Sequence, residues 1–365
     1  MFSIAANDDI ATKHYLYVKD KCIEKIKIAE TKKYFNTLED FLGADTKMIK
    51  IANEKFEQFL IWLEENLEII IKAKPPELLR LYEQIKEKFS FDILVTSESK
   101  SERVQVFGEK GINGTTVSNQ IKEIFCYEKL NKKYKYELTK ELDVTICPYC
   151  NREFVFTVLD EEGKTVIRPE LDHYFPQSLY PMFALSFYNL IPSGHICNSN
   201  IKGKQELSIE KHLHPYVDED KTFSFYMDMK DNQIKNTEIK ISPSIEEISA
   251  STEEISVSAQ KICATIDFFK LRQIYRHHDD VSNKITEIYR KNTPQKIWDY
   301  YSKLKDLDEF HCVEDVLNLV FSDFIIKDID KEILGKLKMD LYKELHDVYI
   351  KELEKSRIGK ANIHE

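Results

Sequence analysis

Three short stretches decide how this chain reads: CPYC from Cys147 to Cys150, LDHYFPQS from Leu171 to Ser178, and NLIPSGHICNSNIKGK from Asn189 to Lys204. Each carries side chains with metal or acid–base chemistry. Cys147, Cys150 and Cys197 are three soft sulfur donors, and zinc asks for four ligands in a tetrahedron. Asp172 offers oxygen to a hard divalent ion such as Mg²⁺. Its neighbour His173 is able to take a proton from water at neutral pH. Adjacent strand residues point to opposite faces, so both serve one site only where the strand ends and bends. Pro176 fits such a bend. Asn198 opens a helix, where Asn is a good N-cap, and its carboxamide oxygen is also a metal donor. Asn189 suits an ordinary turn, or a role in pinning the loop that holds His173.

The surroundings of the window alternate. Phe154, Phe156 and Val158, the turn over Asp160 to Lys164, and the extended Val166 to Leu171 predict a β-hairpin. A helical pattern resumes after Asn198. Upstream, a helix over Ile121 to Lys140 leads into the CPYC. Further back, Ile49, Ala52, Phe56, Leu60, Leu63 and Leu67 recur at steps of three and four, the stripe of one long helix. Pro75 and Pro76 stop it and open a second helix to Phe89. Between the two regions, Arg103 to Phe107 predicts a short strand, and Gly108, Gly111 and Gly114 punctuate a loop that lacks the GxxxxGK[ST] spacing of a phosphate cradle. Downstream, Phe223 to Met229 and Thr237 to Ile241 form a second hairpin about the Asp231-Asn232 turn. Residues 242–251 read as a linker. Three or four helices follow from Glu253, the longest over Lys331 to Lys355.

The chain has 365 residues, 42% hydrophobic and 32% charged, with nine glycines and a net charge of −10. Few glycines amid many Lys, Glu, Leu and Ile point to a helix-dominated architecture. No apolar run is long enough for a membrane span, and the N-terminus, with no basic start and no long apolar stretch, reads as a poor secretion signal, so the expected compartment is the cytoplasm. Seven cysteines is an odd number, and in such a compartment one tight CxxC reads as metal-binding or redox, not as a disulfide framework. No thioredoxin-like βαβ pattern surrounds Cys147. Cys22, Cys126, Cys263 and Cys312 fall in helical patterns and read as ordinary thiols. His277, His278, Asp279 and Asp280 read as a solvated helix face. The acidic balance argues against a chain coated in nucleic acid, but a local basic surface suffices for phosphate contacts.

Taken in order and at this spacing, the motifs resemble those of HNH, or ββα-metal, endonucleases, including the HNH subunit of Septu-type bacterial anti-phage systems. DHYFPQS is similar to the Asp-His segment of such enzymes, and CNSNIKG, Cys197 to Gly203, to their CNxxKG close. The resemblance implies an α+β chain, mainly helical, with a central ββα-metal module. It divides the chain into a helical region over 1–140, the nuclease module with its zinc knuckle over 141–216, and a β-hairpin followed by helices over 217–365. It implies hydrolysis of phosphodiester bonds with one divalent metal, DNA ahead of RNA as substrate. His173 would be the general base. Asp172 and Asn198 would hold Mg²⁺ or Mn²⁺, Asn189 would complete the catalytic set, and Lys202 and Lys204 would contact substrate phosphate. Zn²⁺ would be structural, on Cys147, Cys150 and Cys197. The family's second CxxC asks for a cysteine at position 194, where this chain has Gly194. His195 is the expected fourth ligand, with His212 and His214 behind it. An ATPase subunit is the expected partner. The alternative is a zinc-stapled module that binds nucleic acid or protein without cleaving.

Overall fold

The structure, a computed structural model, describes residues 3–32, 46–89, 92–97, 100–105, 117–218, 223–230, 233–242 and 253–361. Gly108, Gly111 and Gly114, the Asp231-Asn232 turn and nearly all of the 242–251 stretch lie outside the described residues. The architecture is α+β: mainly helices, with small two-stranded antiparallel sheets.

α1 (Asp8–Glu30) is capped by Asn7, whose side chain accepts from the backbone N–H groups of Asp9 and Ile10. Its buried residues Ile10, Ala11, His14, Val18, Cys22, Ile26 and Ala29 return every three or four positions and make one stripe. Against it pack α2 (Thr46–Glu65) and α3 (Leu67–Lys72). The single helix expected over 49–67 is thus two, separated at Asn66. α4 (Pro75–Phe89) starts at its proline, whose missing N–H costs nothing in a first turn. The hairpin β1 (Asp92–Ser97) and β2 (Lys100–Gln105) follows. The helix expected over 121–140 is also divided, into α5 (Val117–Ile124) and α6 (Lys132–Leu142). Asn131 causes the restart: its side chain accepts from Lys133 N–H and caps α6.

In the middle of the chain β3 (Val158–Leu159) and β4 (Thr165–Ile167) pair around the expected turn. Leu171 does not join that hairpin. It lies in β5 (Glu170–His173), which pairs antiparallel with β6 (Leu190–Ser193), Glu170 opposite Ser193 and His173 opposite Leu190. Burial explains the choice. All four residues of β6 are buried, whereas Val166 and Ile167 of β4 stay exposed. A wide helix, α7 (Ile196–Lys202), with π-type hydrogen bonding follows β6. Strand, strand and helix therefore succeed one another around the residues of interest.

The last third opens with β7 (Ser224–Lys230) paired to β8 (Gln233–Ser242). Five further helices, α8 (Glu253–Phe268), α9 (Leu271–Tyr275), α10 (Asp279–Lys291), α11 (Pro294–Leu304) and α12 (Val313–Val320), lead to the longest, α13 (Gly335–Ala361). The edge of β7 is covered: Phe225 and Met227 N–H donate to Asp340 and Glu344 of α13, each at 3.0 Å. Among the described residues no helix is long and apolar enough to cross a membrane.

Candidate metal centre and active site

The knuckle is built by a tight chain reversal. Cys147 N–H donates to the Glu153 carbonyl at 2.9 Å, and Val155 N–H to the Thr145 carbonyl at 2.8 Å. Inside this frame Asn151 N–H returns to the Cys147 carbonyl at 2.8 Å. Asn151 takes a left-handed backbone, φ 53°, which Asn tolerates better than most residues. The reversal brings Cys147 and Cys150 together, and the start of α7 delivers Cys197. Among the described residues these three are the group whose ligand atoms all lie within 4.8 Å of one another, and all are buried. Burial disfavours the Cys147 thiolate, yet contacts from Cys150, Cys197 and the backbone at Gly194 and Tyr149 hold its pKa well below the thiol range. Three clustered, buried sulfurs suit a thiophilic divalent metal.

The expected fourth ligand is elsewhere. The His195 side chain is 63% exposed, and its Nδ1 meets Glu170 Oε1 at 2.7 Å. That contact raises the His195 pKa. The Glu170 carboxylate thus holds the ring at the surface, outside the sulfur group. His212 Nδ1 accepts from Ser208 N–H, and His214 is fully buried beside Tyr174 and Tyr216. Neither belongs to the sulfur group.

The second half of the site hangs on β5. Glu170 and Asp172, two apart, face α7 together. Asp172 is buried, and both of its oxygens are engaged. Tyr149 hydroxyl donates to Oδ2 at 2.6 Å and Lys202 Nζ to Oδ1 at 2.9 Å. Lys202 is 1% exposed and also donates to the His173 carbonyl at 2.7 Å. It therefore does not present its ammonium to a phosphate, as its position in the motif suggested. A charge so deeply placed must be paired, and Asp172 is the pair. Lys204, beyond α7, is exposed. Asn198 makes no hydrogen bond to Asp172. Its Nδ2 donates to Glu170 Oε2 at 2.8 Å, where Ser199 Oγ also donates at 2.8 Å. Glu170 was not anticipated, although a carboxylate two residues before Asp172 on a strand was signal enough to place it on the same face.

His173 sits at the end of β5 on the other face, partly exposed. Its Nε2 lies 2.9 Å from the Ala184 carbonyl. A carbonyl only accepts, so Nε2 carries the proton and Nδ1 keeps the basic lone pair. Gln177 Nε2 lies 3.1 Å from Nδ1, and the Tyr127 ring meets the imidazole edge-on at 4.8 Å. Burial lowers the His173 pKa to about 4, so the ring is neutral at pH 7. Asn189 is fully buried and pins the loop. Its Oδ1 accepts from Phe175 N–H at 2.7 Å, and its Nδ2 donates to the carbonyls of Phe175 and Phe183 at 3.2 and 2.9 Å. Of the two readings of Asn189, the backbone clasp is the one the fold adopts.

Both halves are moored to the flanking helices. The loop after β5 is held by His14 Nε2 on the Leu185 carbonyl, Ser186 Oγ on the Ile70 carbonyl and Tyr188 hydroxyl on Asp8. The knuckle is held by Tyr275 hydroxyl on the Cys150 carbonyl and by Asn151, which bonds Ile329, Leu334 and Lys336.

Fold and site together define a strand–strand–helix unit stapled to a three-cysteine cluster able to bind a metal. Sequence comparison gives two relatives of limited reach. Septu protein PtuB of Bacillus thuringiensis is 32% identical over 101 residues, 27% of this chain and 36% of that protein. Protein ea31 of Escherichia phage lambda is 34% identical over 76 residues, 20% of this chain and 22% of that protein. The aligned segments thus span about a third or less of either relative. No family model and no solved structure matches the chain.

Proposed function

We propose that this chain is a metal-dependent endonuclease that hydrolyses nucleic-acid phosphodiester bonds, DNA ahead of RNA. The observation that carries the reading is where His173 stands: beside Asp172 at the end of a strand, with Nε2 on the Ala184 carbonyl, which leaves Nδ1, facing the Gln177 amide, as the ring's basic nitrogen. Such a group takes a proton from water as the water attacks phosphorus. Asn189 holds it in place by clasping the next turn of chain. Asn198, with its hydrogen-bonded neighbour Glu170 and with Asp172 behind them, would hold Mg²⁺ or Mn²⁺. When bound, that ion supplies charge stabilisation at phosphorus and the leaving oxygen. Lys204 lies outside α7, free of the burial that constrains Lys202, and is the residue to meet substrate phosphate. Cys147, Cys150 and Cys197 would hold structural Zn²⁺, since their donor set and spacing fit it. The similarity to Septu protein PtuB supports a part in bacterial anti-phage defence, with an ATPase subunit as partner.

One observation favours a second reading, a zinc-stapled binding module. Both oxygens of Asp172 are already satisfied by protein groups. The experiment incubates the purified chain with Mg²⁺, Mn²⁺ or EDTA and with plasmid, linear duplex, single-stranded DNA and RNA. Cleavage that EDTA stops and Mg²⁺ restores is expected. Retention of nucleic acid on a gel without cleavage under any metal supports the binding module instead.

A further inference from the structure

The three sulfurs are one donor short of a tetrahedron. Position 194 is where the chain is best placed to supply the fourth, because its backbone contacts the Cys147 sulfur and it stands three residues before Cys197, the CxxC spacing. Gly194 has no side chain to offer. The space is nonetheless filled. A Cβ built on Gly194 would lie 2.0 Å from Glu153 Oε2 and 2.3 Å from Glu153 Cδ, far inside any tolerable contact. Glu153 thus lays its carboxyl where a side chain at 194 would begin, and although its oxygens stand outside the 4.8 Å grouping of the three sulfurs, a rotation of this side chain turns them toward it. Glu153 comes from the knuckle itself, three residues after Cys150, and its backbone carbonyl accepts from Cys147 N–H.

The carboxyl is also incompletely satisfied. Oε1 accepts from His195 N–H at 3.1 Å. Oε2 is buried and has no hydrogen-bond partner. A buried carboxylate oxygen without a donor costs free energy unless something positive meets it. The histidines compete poorly: His195 turns to Glu170 at the surface, and His214 is packed among aromatic rings. We propose that the Glu153 carboxylate is the fourth ligand of the zinc held by Cys147, Cys150 and Cys197. This rests on the structural-zinc reading of the cluster and completes it as a three-sulfur, one-oxygen site. Carboxylate oxygen is an accepted zinc donor, with a bond of about 2.0–2.2 Å against about 2.3 Å for sulfur. Glu153 here does at the flank what a cysteine at 194 would do from the helix start.

The test uses the full chain. X-ray absorption on the zinc-loaded protein is expected to give three sulfurs at ~2.3 Å and one light atom at ~2.0–2.2 Å, without the outer-shell pattern of an imidazole. Chelator competition is expected to show that Glu153→Ala weakens zinc by more than ~100-fold, beyond the 10–100-fold that loss of a mere supporting partner costs. Adding Gly194→Cys to Glu153→Ala should restore affinity and turn the cobalt-substituted protein's spectrum to that of four thiolates. An imidazole signature, four sulfurs in the wild type, or wild-type affinity in Glu153→Ala overturns the proposal while leaving the zinc reading intact. Loss of zinc in His195→Ala but not in Glu153→Ala assigns the ligand to His195. A wild-type chain that binds neither zinc nor cobalt overturns both. A Glu153→Ala chain that melts earlier yet holds zinc as tightly reduces Glu153 to a helix cap and overturns it too.

Discussion

Lys202 shows how one residue's surroundings decide its role. Beside a glycine at the end of a helix, a lysine reads as a phosphate contact. In the fold it is 1% exposed and bonded to Asp172 and to the His173 carbonyl. Lys202→Met therefore leaves the Asp172 charge buried with only the Tyr149 hydroxyl, and should cost about 3–5 kcal/mol of stability in urea unfolding. A phosphate-contact role predicts otherwise: unchanged stability with weaker, less salt-dependent nucleic-acid binding. The clustering of the three cysteines and the clasp of Asn189 were legible because each pairs a chemical type with a telling spacing, whereas the catalytic roles of Asp172, His173 and Asn198 belong to the proposal. Glu153, Glu170 and the burial of Lys202 were not legible, because a carboxylate or an ammonium acquires its role from partners distant in sequence. Gly194 was legible only as a missing cysteine. What fills its place comes from 41 residues away along the chain, in the knuckle.

Among elements, the helical stripes and the hairpins β3–β4 and β7–β8 were readable from periodicity, since local spacing decides them, whereas of β1–β2 only a short strand over Arg103 to Phe107 was expected. The pairing of β5 was not. Its neighbour in sequence is β4, but its partner is β6, across the loop that Asn189 clasps. Alternation says that a segment is a strand and cannot say with which strand it pairs. The hydrogen bonding of α7 was equally hidden. Gly203 N–H reaches the Asn198 carbonyl at 2.7 Å, five residues back. This wide turn holds Asn198, Ser199 and Lys202 together against β5, the kind of local departure that recurs at functional sites. The helix stops at Gly203, φ 52° and ψ −121°, a backbone in which a side chain is strained. Open space surrounds that position, with Ser199 O the nearest atom at 3.8 Å. Gly203→Ala should therefore cost about 1–3 kcal/mol through backbone strain alone. Denaturant unfolding reads it, and a neutral effect would show that α7 ends differently.

On the scale of the molecule, two sets of helices hold the two parts of the candidate site. α1 and α3 fix the loop that carries the Ala184 carbonyl, while α9 and the approach to α13 fix the knuckle. Buried histidines in this scaffold carry a pH signature. His14 and His214 are fully buried, and burial lowers their pKa values from 6.5 to about 4 and about 3. Each then binds more protons unfolded than folded between those values and 6.5. Their contribution is present in full above pH 6.5 and is lost as pH falls toward 4 and below. The urea midpoint should drop across that window. His14→Gln keeps a donor for the Leu185 carbonyl and an acceptor for Tyr134 without titrating, and should flatten the slope; an unchanged slope would clear His14 of that role. The central claim is that His173 does chemistry in this frame. It is tested most directly by comparing wild type with His173→Ala in a plasmid-cleavage assay with Mg²⁺, at equal zinc content and equal melting temperature. A fall in rate of ~10²–10⁴ in the variant is expected. Cleavage at the wild-type rate by His173→Ala would contradict that claim.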